Sequence, residues 1–384
     1  MKSKITIREI LQDHWDAFTQ EYPDMIRPVV LSEVKKAISC GDPSGGFAMY
    51  CCPHCGAYKI VPFRCHSRFC NTCGVAYRSA RAEVISSKLF NCHHRHIVFT
   101  IAEDLRIYFR KDRKLLNVLF RSAAQVISDW LYERNHSLAL KAGMICGLHT
   151  FGRDLKWNPH IHMIITEGAL DHKDKWHHIR FFPYTMLRKR WMATLLANLK
   201  EAIDPDIFPP SDFKKLVNVL YKSKDNGFYV NAPPADLGST DTIVKYVIRY
   251  IGRPIMAQSR ITAYDGSNVT YWYQRHEDHQ KTFVTEPACA FIKKLIIHIP
   301  EKSFNMLRYY GLYSKGRTAY PELIRKVPGS VCRLRGSLLK WRHALEVAFG
   351  KDPLDCPCGH TMEFSGTYHP HYCTHPPPFM LEYV

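Results

Sequence analysis

Leu148-His149-Thr150-Phe151, the linker Gly152-Arg153-Asp154-Leu155-Lys156-Trp157-Asn158-Pro159, and then His160-Ile161-His162-Met163-Ile164-Ile165-Thr166 form the stretch on which the fold turns. Met144 to Phe151 and His160 to Thr166 both read as β-segments, and the linker joins them. In a strand, residues i and i+2 share a face. His160 and His162 therefore project together while Ile161 enters the core. Two imidazoles on one face can hold a divalent metal and leave other positions open for a substrate oxygen. An antiparallel hairpin with Phe151 opposite His160 would set His149 opposite His162 as a third ligand. The chain has 21 histidines, so His-x-His alone carries little weight. The pattern recurs at His94-Arg95-His96 and His369-Pro370-His371, but only the 160–162 pair has an apolar centre and runs on into a strand. Satisfied structural histidines are the competing reading of that pair.

Outward from this hairpin, the chain reads as α+β. A strand at His96 to Ile101 precedes a helical stretch from Arg113 to Arg134. Helix returns at 184–203, Pro205, Pro209 and Pro210 mark a loop, and Phe228-Tyr229-Val230 looks like a strand. Residues 240–251 read as a helix, and 260–264 with 269–274 as a hairpin around Asp265-Gly266. Residues 5–40 are helical, broken at Pro23, with a second helix near Val29 to Ile38. The stretch 46–80 is cysteine-rich with short β-like pieces, the basic segment 301–345 reads as mostly helical, and a Pro/His/Cys-rich tail follows. The linear division is a helical region over 1–45, a metal-binding module over 46–90, a catalytic domain over 91–300 and a basic region over 301–384.

The 384 residues include 53 Lys plus Arg against 35 Asp plus Glu, a formal net charge of +18. An excess of that size points to a polyanionic partner, nucleic acid or an acidic membrane. No apolar run approaches the ~18 residues of a spanning helix, and no secretory segment follows Met1-Lys2-Ser3-Lys4. Nucleic acid is the expected partner and the cytoplasm the expected compartment. Fourteen cysteines without an export signal, several of them two apart, favour reduced thiols and metal over disulfides.

Cys52-Pro53-His54-Cys55 and Cys70-Asn71-Thr72-Cys73 are two knuckles of the kind that present thiolates to one tetrahedral Zn²⁺. Gly56 and Gly74 follow them, where a turning backbone often needs positive φ. Cys65 and His66 lie between the knuckles and offer an exchange of ligands, while Cys51 is spare. Lys59, Arg64, Arg68, Arg78 and Arg81 form either a DNA-contacting or merely a solvated face. Near the C-terminus, Cys356, Cys358, His360 and Cys373 offer a second zinc site, although Cys-x-Cys spacing is less usual.

The remaining informative segment is Lys245-Tyr246-Val247-Ile248-Arg249-Tyr250-Ile251-Gly252-Arg253-Pro254. On a helix, Tyr246 and Tyr250 share one face with Lys245, Arg249 and Arg253 nearby. A phenol titrates near pH 10, so a nucleophilic tyrosine needs neighbouring cations or a metal to favour phenolate. Two amphipathic surface tyrosines would give the same pattern.

Taken together, these motifs resemble the two-tyrosine HUH transposases of bacterial rolling-circle insertion sequences, the IS91 type. The resemblance runs from about Cys52 to Arg317. It rests on the zinc module, His96-Ile-Val-Phe-Thr100, Leu148 to Leu155 before Asn158-Pro-His-Ile-His162, and Tyr246-x-x-x-Tyr250-Ile-Gly-Arg-Pro254. His298-Ile-Pro-Glu-Lys-Ser-Phe304 and Leu307-Arg-Tyr-Tyr-Gly-Leu312 complete it. It implies an HUH core, a central antiparallel sheet flanked by helices. It also implies Mg²⁺ or Mn²⁺ on His160 and His162, with His149 as candidate third ligand, and tyrosine attack by Tyr246 or Tyr250 on single-stranded DNA. Joining through a 5′-phosphotyrosine needs no ATP. Arg308, Tyr309 and Tyr310 become candidates for DNA contact beside Lys245, Arg249 and Arg253. A plasmid replication initiator or a relaxase would share this core. A non-enzymatic zinc-finger DNA-binding regulator would need only the knuckles and the charge.

Overall fold

A computed structural model describes residues 5–74, 85, 89–90, 92–231, 255–275, 278–314, 342, 346, 350 and 352–371. The strands are β1 Phe47–Cys51, β2 Tyr58–Pro62, β3 His94–Phe99, β4 Lys141–Phe151, β5 Trp157–Leu170 and β6 Trp176–His178. They continue with β7 Val230–Asn231, β8 Ile261–Tyr264, β9 Asn268–Gln274, β10 Lys281–Pro287, β11 Leu307–Gly311 and β12 Glu363–Tyr368. The α-helices are α1 Ile7–Glu21, α2 Pro28–Ile38, α3 Arg106–Lys111, α4 Leu116–Arg134, α5 Tyr184–Ala202, α6 Pro210–Ser223 and α7 Ala288–Ile296. The fold is α+β, and its largest sheet is antiparallel.

The chain divides into two compact units. One gathers residues 1–83, 252–299 and 328–384; the other gathers 84–251 and 300–327. In the first, Thr6 caps α1 in a reciprocal capping box with Glu9, and Ile7, Ile10, Leu11 and Phe18 bury one face of that helix. Pro28 opens α2, where its missing N–H has no helical partner to lose. Two three-stranded antiparallel sheets complete this unit, in the orders β12-β1-β2 and β10-β9-β8.

The second unit is built on a six-stranded sheet ordered β11-β4-β5-β3-β7, with β6 paired to β5. Alternation along β5 sends Ile161, Met163 and Ile165 to one face and His160, His162 and Ile164 to the other. On β3, Arg95 and Phe99 share the first of these faces. Phe99 meets Trp191 of α5 edge-on at 5.2 Å, and the Arg95 guanidinium lies over Phe182 at 4.8 Å. Trp130 of α4 meets the same Phe182 ring at 5.2 Å. Helices α4 and α5 therefore cover the face away from the histidines. Burying residues such as Phe99, Phe120, Ile161, Met163 and Trp191 there stabilises the unit by about 1.5–3 kcal/mol per large apolar side chain.

Three expectations are corrected. The 144–166 hairpin has a different register: His149 lies opposite His160, Gly147 opposite His162, and Phe151 opposite Trp157. Strand β5 starts three residues earlier than expected, and the tight turn 152–156 closes with Gly152 N–H donating to the Lys156 carbonyl at 3.0 Å. An irregularity between His149 and Phe151 takes up the difference. Leu307–Gly311, expected as helix, is the edge strand β11 on β4, where its aromatic residues suit a pleated surface. Pro210, expected in a loop, instead opens helix α6 at its first position. The 240–251 segment lies outside the described residues.

Candidate functional site

His149 of β4 and His160 of β5 are direct cross-strand partners, and His162 stands two residues further along the same face. Ring centroids lie 4.4 Å apart for His149 and His162, 4.8 Å for His160 and His162, and 5.5 Å for His149 and His160. One nitrogen from each ring falls within 4.8 Å of the others. The shift of register is an even number of residues, so all three imidazoles stay on one face. Gly147, opposite His162, adds no side chain to the cluster.

Each of the β5 imidazoles is anchored through its Nδ1. In His160 that atom lies 2.7 Å from the Asn158 carbonyl, which can only accept, so Nδ1 carries the proton and Nε2 keeps its lone pair. In His162, Nδ1 lies 2.8 Å from Nε2 of His96, with the two rings within 2° of parallel. Burial, with the neighbouring imidazoles adding to it, holds His162 well below the ordinary histidine range; burial likewise lowers His160 and takes His96 to about 4. All three are neutral at pH 7, the state in which imidazole is a metal ligand. His96 is the residue that pattern-reading undervalued: its His-x-His pair looked like one chance occurrence among three. Its place on β3, with Val98 opposite His162, sets it behind the cluster.

His94 on the same strand is fully buried. The Tyr313 hydroxyl accepts the Phe90 backbone N–H at 3.1 Å and shares a hydrogen bond with His94 Nε2 at 2.6 Å. Arg308 lies opposite Cys146, whose other cross-strand partner is Met163, so its side chain takes the helix-covered face. It bonds Asn117 of α4 and lies over Phe120 at 4.5 Å. The expected DNA contact at Arg308 is thus on the face away from the histidines; Tyr309, opposite Ile145, shares their face. Tyr246, Tyr250, Lys245, Arg249 and Arg253 lie outside the described residues, as do Arg78, Arg81 and Cys373.

The cysteines regroup. Cys52 and Cys55 do not meet Cys70 and Cys73, as the knuckle spacing suggested. Cys70 and Cys73 stand with Cys40 and Cys65, and Cys52 and Cys55 stand with Cys356 and Cys358. In the first group Cys73 Sγ lies 3.6 Å from Cys40 and 3.7 Å from Cys65. Hydrogen bonds from the Cys65 and Cys73 thiols pull Cys70 far below a free thiol. Cys65, raised above as an exchange ligand, belongs to the set; Cys40, at the end of α2, had no spacing signal to reveal it. His360 lies beside Cys358 and His54, not as a partner of Cys356 in a separate C-terminal cluster.

Comparison with known proteins places these clusters. A family described as "Transposase zinc-binding domain" matches residues 10–101, the stretch that contains Cys40, Cys65, Cys70 and Cys73. This match and the thiol clusters support structural Zn²⁺. A second, described as "Putative transposase", matches residues 143–319, which contain His149, His160 and His162. The chain is 29% identical over 298 residues to the transposase for insertion sequence element IS801 of Pseudomonas savastanoi pv. phaseolicola, covering 74% of this chain and 70% of that one. It is 24% identical over 286 residues to the "Putative transposase y4qJ" of Sinorhizobium fredii (strain NBRC 101917 / NGR234), covering 71% of each. No solved structure matches the chain significantly. The two family matches, over residues 10–101 and 143–319, and the two relatives together support an IS91-type transposase.

Proposed function

We propose that this transposase cuts and rejoins single-stranded DNA at the ends of a mobile element, through a tyrosine-linked intermediate on an HUH-type core. The observation that carries the reading is the convergence of His149, His160 and His162 on one face of the central antiparallel sheet. Their donor set fits a divalent cation, because three imidazoles bring ring nitrogens together on one face and two of them are held from behind by Asn158 and His96. When bound, Mg²⁺ or Mn²⁺ would offset charge on the scissile phosphate and orient it for in-line attack. Nitrogen donors suit Mn²⁺ better than Mg²⁺, so Mn²⁺ is expected to support cleavage at lower concentration.

In this reading the phenolate oxygen of Tyr246 or Tyr250 attacks phosphorus and forms a new P–O bond. The P–O bond to the 3′ oxygen breaks, and that oxygen takes a proton to leave a 3′-hydroxyl. The phosphodiester energy is kept in the tyrosyl link, so the reverse attack by a 3′-hydroxyl reseals a strand without ATP. A second tyrosine allows a second exchange before the first resolves. The partner is DNA, consistent with the charge of +18, and no helix among the described residues is long and apolar enough to cross a membrane.

The deciding experiment incubates the protein with Mn²⁺ and single-stranded oligonucleotides spanning candidate element ends, followed by mass spectrometry. Wild type should gain the mass of one cleaved strand. A Tyr246→Phe/Tyr250→Phe double variant should gain none while binding the oligonucleotide within about twofold of wild type, because phenol loss removes a nucleophile rather than phosphate contacts. Full adduct yield from the double variant would sink the tyrosine assignment.

A further inference from the structure

We propose that Cys52, Cys55, Cys356 and Cys358 hold a second structural Zn²⁺, distinct from the Cys40, Cys65, Cys70 and Cys73 site, that clasps strand β12 to the β1–β2 hairpin. The two C-terminal ligands lie beyond the stretch matched by the zinc-binding family, residues 10–101. They sit more than 300 positions from their partners, in the same compact unit.

Two hairpin tips meet here. Strands β1 and β2 pair from Phe47↔Pro62 to Cys51↔Tyr58, and the turn beyond them carries Cys52 and Cys55. Strand β12 pairs with the other edge of β1, ending at Cys51↔Glu363. The turn before β12 is closed by Cys356 N–H donating to the His360 carbonyl and Met362 N–H to the Leu354 carbonyl, each at 2.9 Å, and it carries Cys356 and Cys358. Gly56 has φ +71° and Gly359 φ +86°, so each tip turns through a left-handed residue directly after its second cysteine. The two tips share this backbone form although one is Cys-x-x-Cys and the other Cys-x-Cys.

The sulfur spacing suits one ion. Cys52 Sγ lies 3.5 Å from Cys358, and Cys55 Sγ lies 3.6 Å from Cys356. A tetrahedron with Zn–S of about 2.3 Å has edges of about 3.8 Å. A disulfide would need about 2.05 Å, and all four are free thiols. The apolar support beneath is small: Tyr50, Leu354 and Met362, with Ala48 and Val61 beside them. A cluster of that size does not hold a β-hairpin in place alone, and small modules add a metal for that purpose. His54 and His360 also approach Cys358, but their rings stack within 6° of parallel at 4.0 Å. In-plane lone pairs of stacked parallel rings do not converge on one ion, whereas the four thiols do. Four sulfur ligands leave no open position, so the site is structural.

Two measurements test the clasp. In a full-length protein carrying His160→Ala and His162→Ala, which removes the imidazole cluster from the count, elemental analysis should find about two zinc ions per chain. Adding Cys356→Ser and Cys358→Ser should lower this to about one. A parent with one ion, or a variant that keeps two, overturns the proposal. If the variant does not fold, wild type decides by iodoacetamide labelling and mass spectrometry. Cys55 and Cys358 are exposed, so burial does not shield them. Both should stay unlabelled in the zinc-loaded protein and become labelled together on adding a chelator. Labelling of Cys55 and Cys358 at free-thiol rates while zinc is retained would overturn the clasp.

Discussion

His96 holds His162 as Asn158 holds His160: each engages Nδ1 and leaves the opposite nitrogen of the ring for an ion. Partners of this kind fix ring orientation and tautomer, and their loss costs roughly 10–100-fold in metal affinity or activity. His96→Phe should therefore raise the Mn²⁺ concentration needed for half-maximal cleavage by about that factor while leaving single-strand binding unchanged. A variant with the wild-type metal dependence would show that the sheet alone orients His162. The same burial has a consequence for stability. Burial takes both His94 and His96 to about 4, below the value near 6.5 of an exposed imidazole. Between those pH values the unfolded chain binds more protons than the folded one, so stability present above pH 6.5 is lost as pH falls toward 4. Each group accounts for roughly 3 kcal/mol over that whole range. The urea midpoint of metal-free protein should fall from pH 7 to pH 5, and less steeply in His94→Gln. An unchanged midpoint across that interval would show that these rings are protonated in the fold.

At the scale of elements, the central hairpin was legible because its signals are local: a period of two, a short turn and an apolar residue between two histidines. Its register was not, since a two-residue slip preserves every facing and only the irregularity after His149 and the early start of β5 distinguish the alternatives. Strand β11 was missed because five residues with an arginine and two tyrosines carry no clear period, and pairing to β4 decides their conformation. The cysteine partners were illegible for a different reason. Two-residue spacing shows which thiols share a turn but not which turns meet, and β12 brings Cys356 and Cys358 to Cys52 through strand pairing that sequence distance conceals. One glycine tests the docking of β11. Gly311 has φ +57°, and a Cβ there would run into the Ala142 carbonyl oxygen, which also accepts the Leu312 N–H. Gly311→Ala should cost about 1–3 kcal/mol in urea unfolding, the usual range for strain at such a position. Since the strand carries Tyr309 onto the histidine face, its displacement should lower cleavage as well. Stability within about 0.3 kcal/mol of wild type would mean that β11 readily moves away from β4.

Across the whole molecule, the net charge of +18 is what the proposed single-stranded partner has to account for. Part of it is already engaged: Arg95 pairs with Glu167, Arg190 with Glu133 and Arg342 with Asp352, while Arg308 is held against Asn117 and Phe120. Such pairs subtract equal numbers of both signs, so the net excess survives them. If that excess tracks a strand, each neutralised phosphate releases condensed counterions, with a slope of about −0.7 per phosphate in log K against log salt. A contact with about five phosphates then predicts a slope near −3.5 and a loss of roughly 100-fold between 50 and 200 mM salt. The tyrosine double variant should follow the same line, because phenols contribute nothing to counterion release. Fluorescence anisotropy with a labelled oligonucleotide across that salt range measures the slope directly. A slope shallower than about −1 would show that the basic surface serves some partner other than the DNA strand, and that stacking rather than charge holds the substrate.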